Sequence, residues 1–180
     1  NMISSVVSQA TPSDFTAGIY VRCGTGSVTR IFYNSVSMTG DRGVAATNPS
    51  IALAIAGMDP SVFVKDNILH NSQTTSNATP GKSYAVGLSY NTYANLDTDF
   101  NDLYVSGPQG LVAVVGGFTN TPAGDRENLA DWQAETSQDA SSICGDPLFA
   151  GVDDLHISTA GPNVSPVADA GAMVEGMTVD

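Results

Sequence analysis

Three aspartates near the middle of the chain could supply oxygen ligands to a metal ion. They are Asp97, Asp99 and Asp102, and Asn95 and Asn101 add amide oxygens nearby. Calcium takes six to eight oxygen ligands, so alternating carboxylates on a loop suit it. The spacing lacks the glycine and the distal glutamate of a helix-loop-helix site, which leaves solvated turn aspartates as the alternative. A Ca²⁺ ion here would rigidify a turn, and the sequence indicates no other cofactor.

Pairs of acidic and basic groups suited to catalysis are scarce. The chain has six basic side chains besides His70 and His156, namely Arg22, Arg30, Arg42, Arg126, Lys65 and Lys82. None stands with clustered aspartates at equivalent positions of the repeat described below, and neither histidine has a nearby motif partner. No Gly-x-Ser-x-Gly, His-x-x-x-His or Cys-x-x-Cys motif occurs. We therefore predict no catalytic residue, although a site assembled from several repeats would escape a search for linear motifs.

Four tyrosines could form a binding surface for sugars. They fall around the polar loop from residue 72 to 82 and the turn after it, as Tyr84, Tyr90, Tyr93 and Tyr104. An aromatic and polar edge of this kind could contact glycans. The alternative is that these rings close the interior and keep their hydroxyls in water.

Cys23 and Cys144 are the only cysteines, too few for a disulfide framework. Cys23 lies in a predicted turn, and Cys144 precedes another turn at Asp146. They could pair if the end of the chain folds back along the molecule in an oxidising compartment. Two free, mostly buried thiols are the alternative.

An asparagine recurs at nearly constant intervals and organises these candidates. It occurs at Asn1, Asn34, Asn67 and Asn101, in steps of 33, 33 and 34 residues. Stacked side chains of this type can hydrogen-bond as a ladder, and asparagine tolerates left-handed backbone geometry in turns. The spacing therefore predicts stacked repeats whose asparagines are structural.

Short apolar stretches between the asparagines indicate strands. Each repeat has about three such segments, separated by Gly, Asn, Asp, Ser and Thr, and none shows a sustained helical period. Repeats of this length built from helices need two helices per unit, which this composition does not favour. One later stretch, near residues 126–138, has the apolar spacing of a short helix and includes Trp132.

Several segments resemble the right-handed parallel β-helix superfamily, the pectate-lyase-like fold. The phrases FVKDNILHNS and TRIFYNSVSMTG are similar to its degenerate coils, and ENLADWQAETSQDASSICGDPLF followed by DDLHISTAGPNVSPVADAG resembles the closing segment in large bacterial secreted and surface proteins. The resemblance implies an all-β, right-handed parallel β-helix solenoid with about 33 residues per coil. We expect one domain over 1–180, with regular coils over 1–118 and an insertion with a closing segment over 119–180.

Composition favours an extracellular or cell-surface location. The chain has 18 acidic and 6 basic residues, a net charge of −12, which disfavours nucleic acid as a partner. No apolar run is long enough to insert into a membrane. The chain starts in the middle of the repeat pattern, so we expect it to be a segment of a larger protein.

The function expected from these features is a non-catalytic structural or adhesive module, a stalk, spacer or surface-binding segment. Its partners would be polysaccharides or cell-surface glycans, or neighbouring domains or subunits. The resemblance also leaves a carbohydrate-active enzyme, a polysaccharide lyase or glycoside hydrolase, as an alternative. A self-assembling fibre subunit is the third possibility.

Overall fold

A computed structural model describes residues 1–9, 14–58 and 60–174 of the chain. Within these residues it has eleven strands, one α-helix and a 3-10 turn at Pro122–Gly124. The strands and the helix are β1 (Met2–Ile3), β2 (Thr16–Cys23), β3 (Val28–Phe32), β4 (Ser35–Met38), β5 (Ser50–Gly57), β6 (Ser61–Lys65), β7 (Ile68–Asn71), β8 (Ser83–Leu88), β9 (Leu96–Asp99), β10 (Gly110–Val114), β11 (Asp125–Arg126) and α1 (Leu129–Thr136).

The strands form three sheets, which the chain visits in rotation from β1 to β9. Sheet A has the order β1-β4-β7, sheet B the order β11-β10-β8-β5-β2, and sheet C the order β3-β6-β9. All pairs are parallel except β10 with β11. In sheet A, Met2 pairs with Ser35 and Ser35 with Ile68, so neighbouring strands there lie one asparagine interval apart in sequence.

This arrangement corrects the predicted fold, an all-β right-handed parallel β-helix solenoid. The structure has three separate sheets of three, five and three strands, and within the described residues no strand belongs to two of them. They therefore do not join into one continuous or closed solenoid sheet. The physical reason lies in the turns between sheets, where a residue with positive φ such as Tyr33 (φ 54°) interrupts strand hydrogen bonding. We describe the fold as three mostly parallel sheets with one short helix.

The apolar core lies between the sheets and is centred on β5. Its sequence SIALAIAG is buried on both faces, as expected for a central strand of a parallel sheet. The main core includes Leu53 and Ile55 of this strand, together with Leu69 and Leu88. Ile51 of the same strand belongs to a smaller cluster with Tyr84, against which Phe15 and Phe118 pack.

The helix is shorter than the predicted 126–138 segment. Asn128 begins α1 by accepting a hydrogen bond from the Asp131 amide, and Ser137 ends it in a left-handed conformation. Trp132 is only 1% exposed and packs into the main core. The helix therefore covers one end of that core.

The end of the chain returns along the molecule after α1. Ile143 pairs with Asp102 beside sheet A, and Phe149 pairs with Ile157 in an isolated antiparallel bridge. The segment then reaches Ala172, whose amide donates to the Asp66 carboxylate. This return path creates the groove described next.

Candidate functional site

The turn between sheets C and A has the same conformation in three successive places. The residue after the sheet C strand is left-handed at Tyr33 (φ 54°), Asp66 (φ 57°) and Phe100 (φ 57°). Each is followed directly by an asparagine. This conformation costs an L-residue about 1–2 kcal/mol, so other contacts must hold it. Asparagine tolerates this geometry, but in these turns the left-handed residue is the one before it.

The four asparagines lie side by side in a row across these turns. Asn1 Nδ2 donates to Asn34 Oδ1 at 2.9 Å, and Asn34 Nδ2 donates to Asn67 Oδ1 at 2.9 Å. Asn67 Nδ2 donates to Asn101 Oδ1 at 3.0 Å. We call Asn1, Asn34, Asn67 and Asn101 the asparagine row. Their carboxamides connect neighbouring strands through side chains as well as through the backbone.

Asn34 and Asn67 also hold the left-handed residue before them. Asn67 Nδ2 donates to the carbonyl of Lys65 at 2.9 Å, which encloses Asp66 between the two bonded residues. Asn34 makes the same contact with Phe32. The carboxamide therefore offsets the backbone cost of the turn from the next position in sequence. Asn101 differs, since its Nδ2 donates to the Val64 carbonyl, the Thr98 hydroxyl and Asp139.

The row ends at a buried carboxylate that the sequence did not indicate. Asp139 is 1% exposed, and its two oxygens accept from Asn101 Nδ2 at 3.1 Å and from Trp132 Nε1 at 2.7 Å. The hydroxyls of Thr98 and Ser142 also contact it. Because α1 interrupts the asparagine interval, spacing gave no signal for this residue. A carboxylate can accept bonds from several donors at once, which suits the end of a row of donating amides.

A groove of about 410 Å³ lies beside these turns, under the returning segment 167–173. Most of its wall is apolar, and three aspartates, Asp66, Asp102 and Asp169, also line it together with Asn67 and Asn101. The apolar lining includes Tyr33, Ile68, Phe100, Ile143, Val167 and Met173. Its volume falls within the range of small-molecule sites.

Asp102 is the most buried acidic group of this groove. It is 2% exposed, and its Oδ1 accepts the Gly145 amide at 2.9 Å. Its Oδ2 is buried without a hydrogen-bond partner among the described residues. Burial, with a further contribution from Asp146, raises the pKa of Asp102 to about 7. This carboxyl can therefore exchange a proton near neutral pH.

Asp66 stands at the edge of the groove and is also incompletely bonded. Its Oδ1 accepts the Ala172 amide at 2.6 Å, whereas Oδ2 is buried and has no partner among the described residues. Burial raises the pKa of Asp66, and the Ala172 bond and the Lys65 charge oppose that shift. The groove thus contains two carboxylate oxygens with unused hydrogen-bonding capacity.

A second groove lies on the outer face of sheet C and shares Asp66, Phe100, Ala172 and Met173 with the first. Here Lys65 Nζ forms an ion pair with Asp97 at 3.0 Å, and the Arg30 guanidinium lies 5.4 Å from the centre of the Phe63 ring. Acidic and basic side chains therefore meet at this face, which the sequence search did not find. Their proximity depends on parallel pairing of β3, β6 and β9, which no linear motif records.

The three candidate calcium ligands are not brought together. Asp97 pairs with Lys65, Asp99 Oδ1 accepts the Ser141 amide at 2.7 Å, and Asp102 faces the groove beside sheet A. The left-handed turn at Phe100 separates them, because it sends the chain from sheet C to sheet A. In the part of the chain that the structure describes, no group of three acidic, histidine or cysteine residues could hold a metal ion.

The four candidate glycan-contact tyrosines have different surroundings. Tyr84 is fully buried and donates to Asp125 Oδ1 at 2.8 Å, so its proposed glycan contact is corrected. Tyr90 and Tyr93 pack against the main core, and the Tyr93 hydroxyl bonds to Glu135. Tyr104 lies 5.3 Å from the ring of His70.

Both cysteines are free thiols, so the proposed disulfide is absent from the structure. Cys23 lies in β2 with its sulfur 3.0 Å from the Thr29 hydroxyl, and Cys144 is exposed beside the groove-forming segment.

Among the described residues, no helix has the length and apolar character needed to cross a membrane.

Comparisons with known proteins do not assign this chain to a family. No family model matches the sequence, and neither curated proteins nor solved structures gave a match, so nothing identifies a pectate-lyase-like domain.

Proposed function

We propose that this chain is a non-catalytic structural or adhesive module of a larger extracellular protein. The observation that carries the proposal is the asparagine row, in which buried side chains are used to bond one strand to the next. Fully bonded buried polar groups rigidify a fold and specify one arrangement. Such an arrangement suits a spacer that must hold its shape.

Other polar side chains support the same role. The Ser50 hydroxyl donates to Ser83 at 3.2 Å, and the Ser37 hydroxyl lies 3.1 Å from His70 Nδ1; each pair is separated by 33 residues. The Thr75 amide donates to Gln109 Oε1 across 34 residues. These bonds join positions 33 or 34 residues apart, so the connection extends well beyond the asparagines.

The outer face of sheet C supports an adhesive role. It presents Phe63, Arg30, Lys65 and Asp97 together, and none of these residues is fully buried. An aromatic ring flanked by charged hydrogen-bonding groups suits a polysaccharide or a cell-surface glycan. The net charge of −12 favours neutral glycans over acidic ones. An extracellular or cell-surface location is part of this proposal.

The test uses a panel of acidic and neutral polysaccharides, with binding and turnover measured on the same samples. We expect binding that weakens at least severalfold in Phe63→Ala and is unchanged in Tyr104→Phe, which removes a hydroxyl outside sheet C. We expect no new reducing or unsaturated chain ends. Their appearance would contradict the non-catalytic role. Absence of binding to every polysaccharide would remove the adhesive role and leave the spacer.

A carbohydrate-active enzyme is the second candidate, and Asp102 is the observation that favours it. Glycosidic cleavage uses two carboxyl groups, one of which stays protonated near neutral pH because its pKa is raised. Asp102 has such a pKa, about 7, and Asp66 lines the same groove. If the panel reveals turnover, Asp102→Asn should abolish it, whereas Asp131→Asn on the exposed side of α1 should not.

A further inference from the structure

The groove beside the asparagine row has unused bonding capacity and a consistent charge. Asp66 Oδ2 and Asp102 Oδ2 are both buried and without partners among the described residues, and both residues line this groove. Leaving a buried polar group unbonded costs about 1–3 kcal/mol. Two such atoms in one groove indicate that something outside the described chain supplies their partners.

The acidic residues of the groove favour a positively charged ligand. Its lining includes the carboxylates of Asp66, Asp102 and Asp169, and it has no lysine, arginine or histidine among the described residues. An anionic ligand would be repelled by this set. A ligand with hydrogen-bond donors and positive charge would satisfy both free oxygens.

The other lining residues indicate that the uncharged part of the ligand is apolar. Ile68, Phe100, Ile143 and Met173 form apolar walls, which suit a hydrocarbon chain. A divalent cation needs six or more oxygen ligands or a shell of water, and no group of three acidic, histidine or cysteine residues among the described residues is placed to hold one. The volume of about 410 Å³ has room for a short alkyl chain.

We propose that this groove binds an aliphatic amine, whose ammonium group pairs with Asp102 and Asp66 and whose alkyl chain lies against Ile68, Phe100 and Ile143. The ammonium donates to the two carboxylate oxygens that have no partner within the described chain. The exposed Asp169 at the edge attracts the cation, and segment 167–173 covers the alkyl chain. This site is independent of the structural role proposed above.

The test is a calorimetric titration of the whole chain with n-pentylamine hydrochloride at a pH above 7, where Asp102 is ionised. n-Pentanol is the matched uncharged ligand. We expect millimolar or tighter binding of the amine and at least about tenfold weaker binding of the alcohol. Asp102→Asn should weaken amine binding about tenfold, and Asp66→Asn should weaken it by a similar or smaller factor.

Asp131→Asn is the control, because it removes the same charge from the exposed side of α1 and should leave the affinity unchanged. The Gly145 and Ala172 amide resonances, followed by NMR, report binding at the groove in every variant that folds. Equal affinity for pentanol and pentylamine, equal loss in the control variant, or no binding at millimolar concentration would overturn the proposal.

A second arm separates two sources of the ammonium group. Nα-acetyl-lysine amide presents the same alkylammonium as part of a polypeptide. Tighter binding of this compound than of pentylamine would assign the groove to a lysine side chain of a partner protein. Tighter binding of pentylamine would assign it to a free amine.

Discussion

The turns between sheets C and A carry two kinds of polar side chain, which differ in how completely they are bonded. Asn34 and Asn67 use their carboxamides to bond the neighbouring strand and the preceding turn. Asp66 and Asp102 each keep one carboxylate oxygen without a partner in the described chain. Asp66 and Asn67 are adjacent in sequence. In this turn Asn67 therefore contributes to rigidity, whereas Asp66 keeps an oxygen that can bond a ligand.

The largest expected effect comes from removing a fully bonded asparagine of the row. Asn67→Ala removes the acceptor of the Asn34 backbone and side-chain donors and the side-chain donor to the Lys65 carbonyl. We expect the free energy of unfolding to fall by about 3–5 kcal/mol, because several buried polar groups lose their bonds together. Urea denaturation measures it. Asn163→Ala, at an exposed position, should change stability by less than about 0.5 kcal/mol. A loss below about 1 kcal/mol in Asn67→Ala would refute the structural importance of the row.

The incompletely bonded Asp102 should make the stability of the chain depend on pH. The pKa of Asp102 is about 7 in the folded chain, above the value of an unfolded aspartate, so the folded state holds the proton more tightly. Its contribution to stability therefore falls as pH rises from about 4 to about 7. Asp102→Asn keeps an oxygen for the Gly145 amide and removes the buried charge.

We therefore expect Asp102→Asn to be more stable than the parent chain above pH 7. The difference in unfolding free energy between the two proteins should be larger there than at about pH 5, by an amount on the order of 2 kcal/mol. Urea denaturation of both proteins at the two pH values gives this double difference, in which the other titrating groups cancel. A stability difference that does not change with pH would show that Asp102 titrates normally.

The smallest expected effect is local to the segment that covers the groove. A Cβ at Gly171 would lie 2.7 Å from Asp66 Oδ1, so Gly171→Ala should push the segment away and weaken the Ala172 bond. We expect a loss of about 1 kcal/mol in global stability and faster hydrogen exchange of the Ala172 amide. Gly151→Ala is the matched control, since a Cβ there meets only ordinary contacts. Unchanged exchange at Ala172 would mean that the segment is not held by Asp66.

The sequence located the turns but not the sheets that they connect. The asparagines recur at a nearly constant interval in the sequence, and the four are hydrogen-bonded neighbours in the structure. The predicted single β-helix was wrong because apolar stretches indicate strands without showing how the resulting sheets are separated. The sequence did not indicate the left-handed position, because Tyr33 and Phe100 have low intrinsic preference for it. At Tyr33 the carboxamide of the asparagine that follows holds the turn, whereas Asn101 after Phe100 bonds other partners.

The site was predicted only in part. Asp102 was selected for its spacing from Asp97 and Asp99, as a calcium ligand, whereas its surroundings depend on a return of the chain from residue 143 onward. Asp66 gave no signal, since its role arises from contact with Ala172, 106 residues away. Asp139 likewise follows a helix that breaks the interval. Contacts of this range are set by tertiary packing and cannot be derived from local patterns.

Trp132 gives the end of the asparagine row its own optical reporter. It is the only tryptophan of the chain, is 1% exposed, and its indole donates to the carboxylate of Asp139, on which the row ends. Its fluorescence therefore records release of α1 from the sheets, whereas far-ultraviolet circular dichroism records loss of the strands. Coincident transitions would show that the molecule melts as one cooperative unit. An earlier fluorescence transition would show that unfolding starts at this end and proceeds strand by strand.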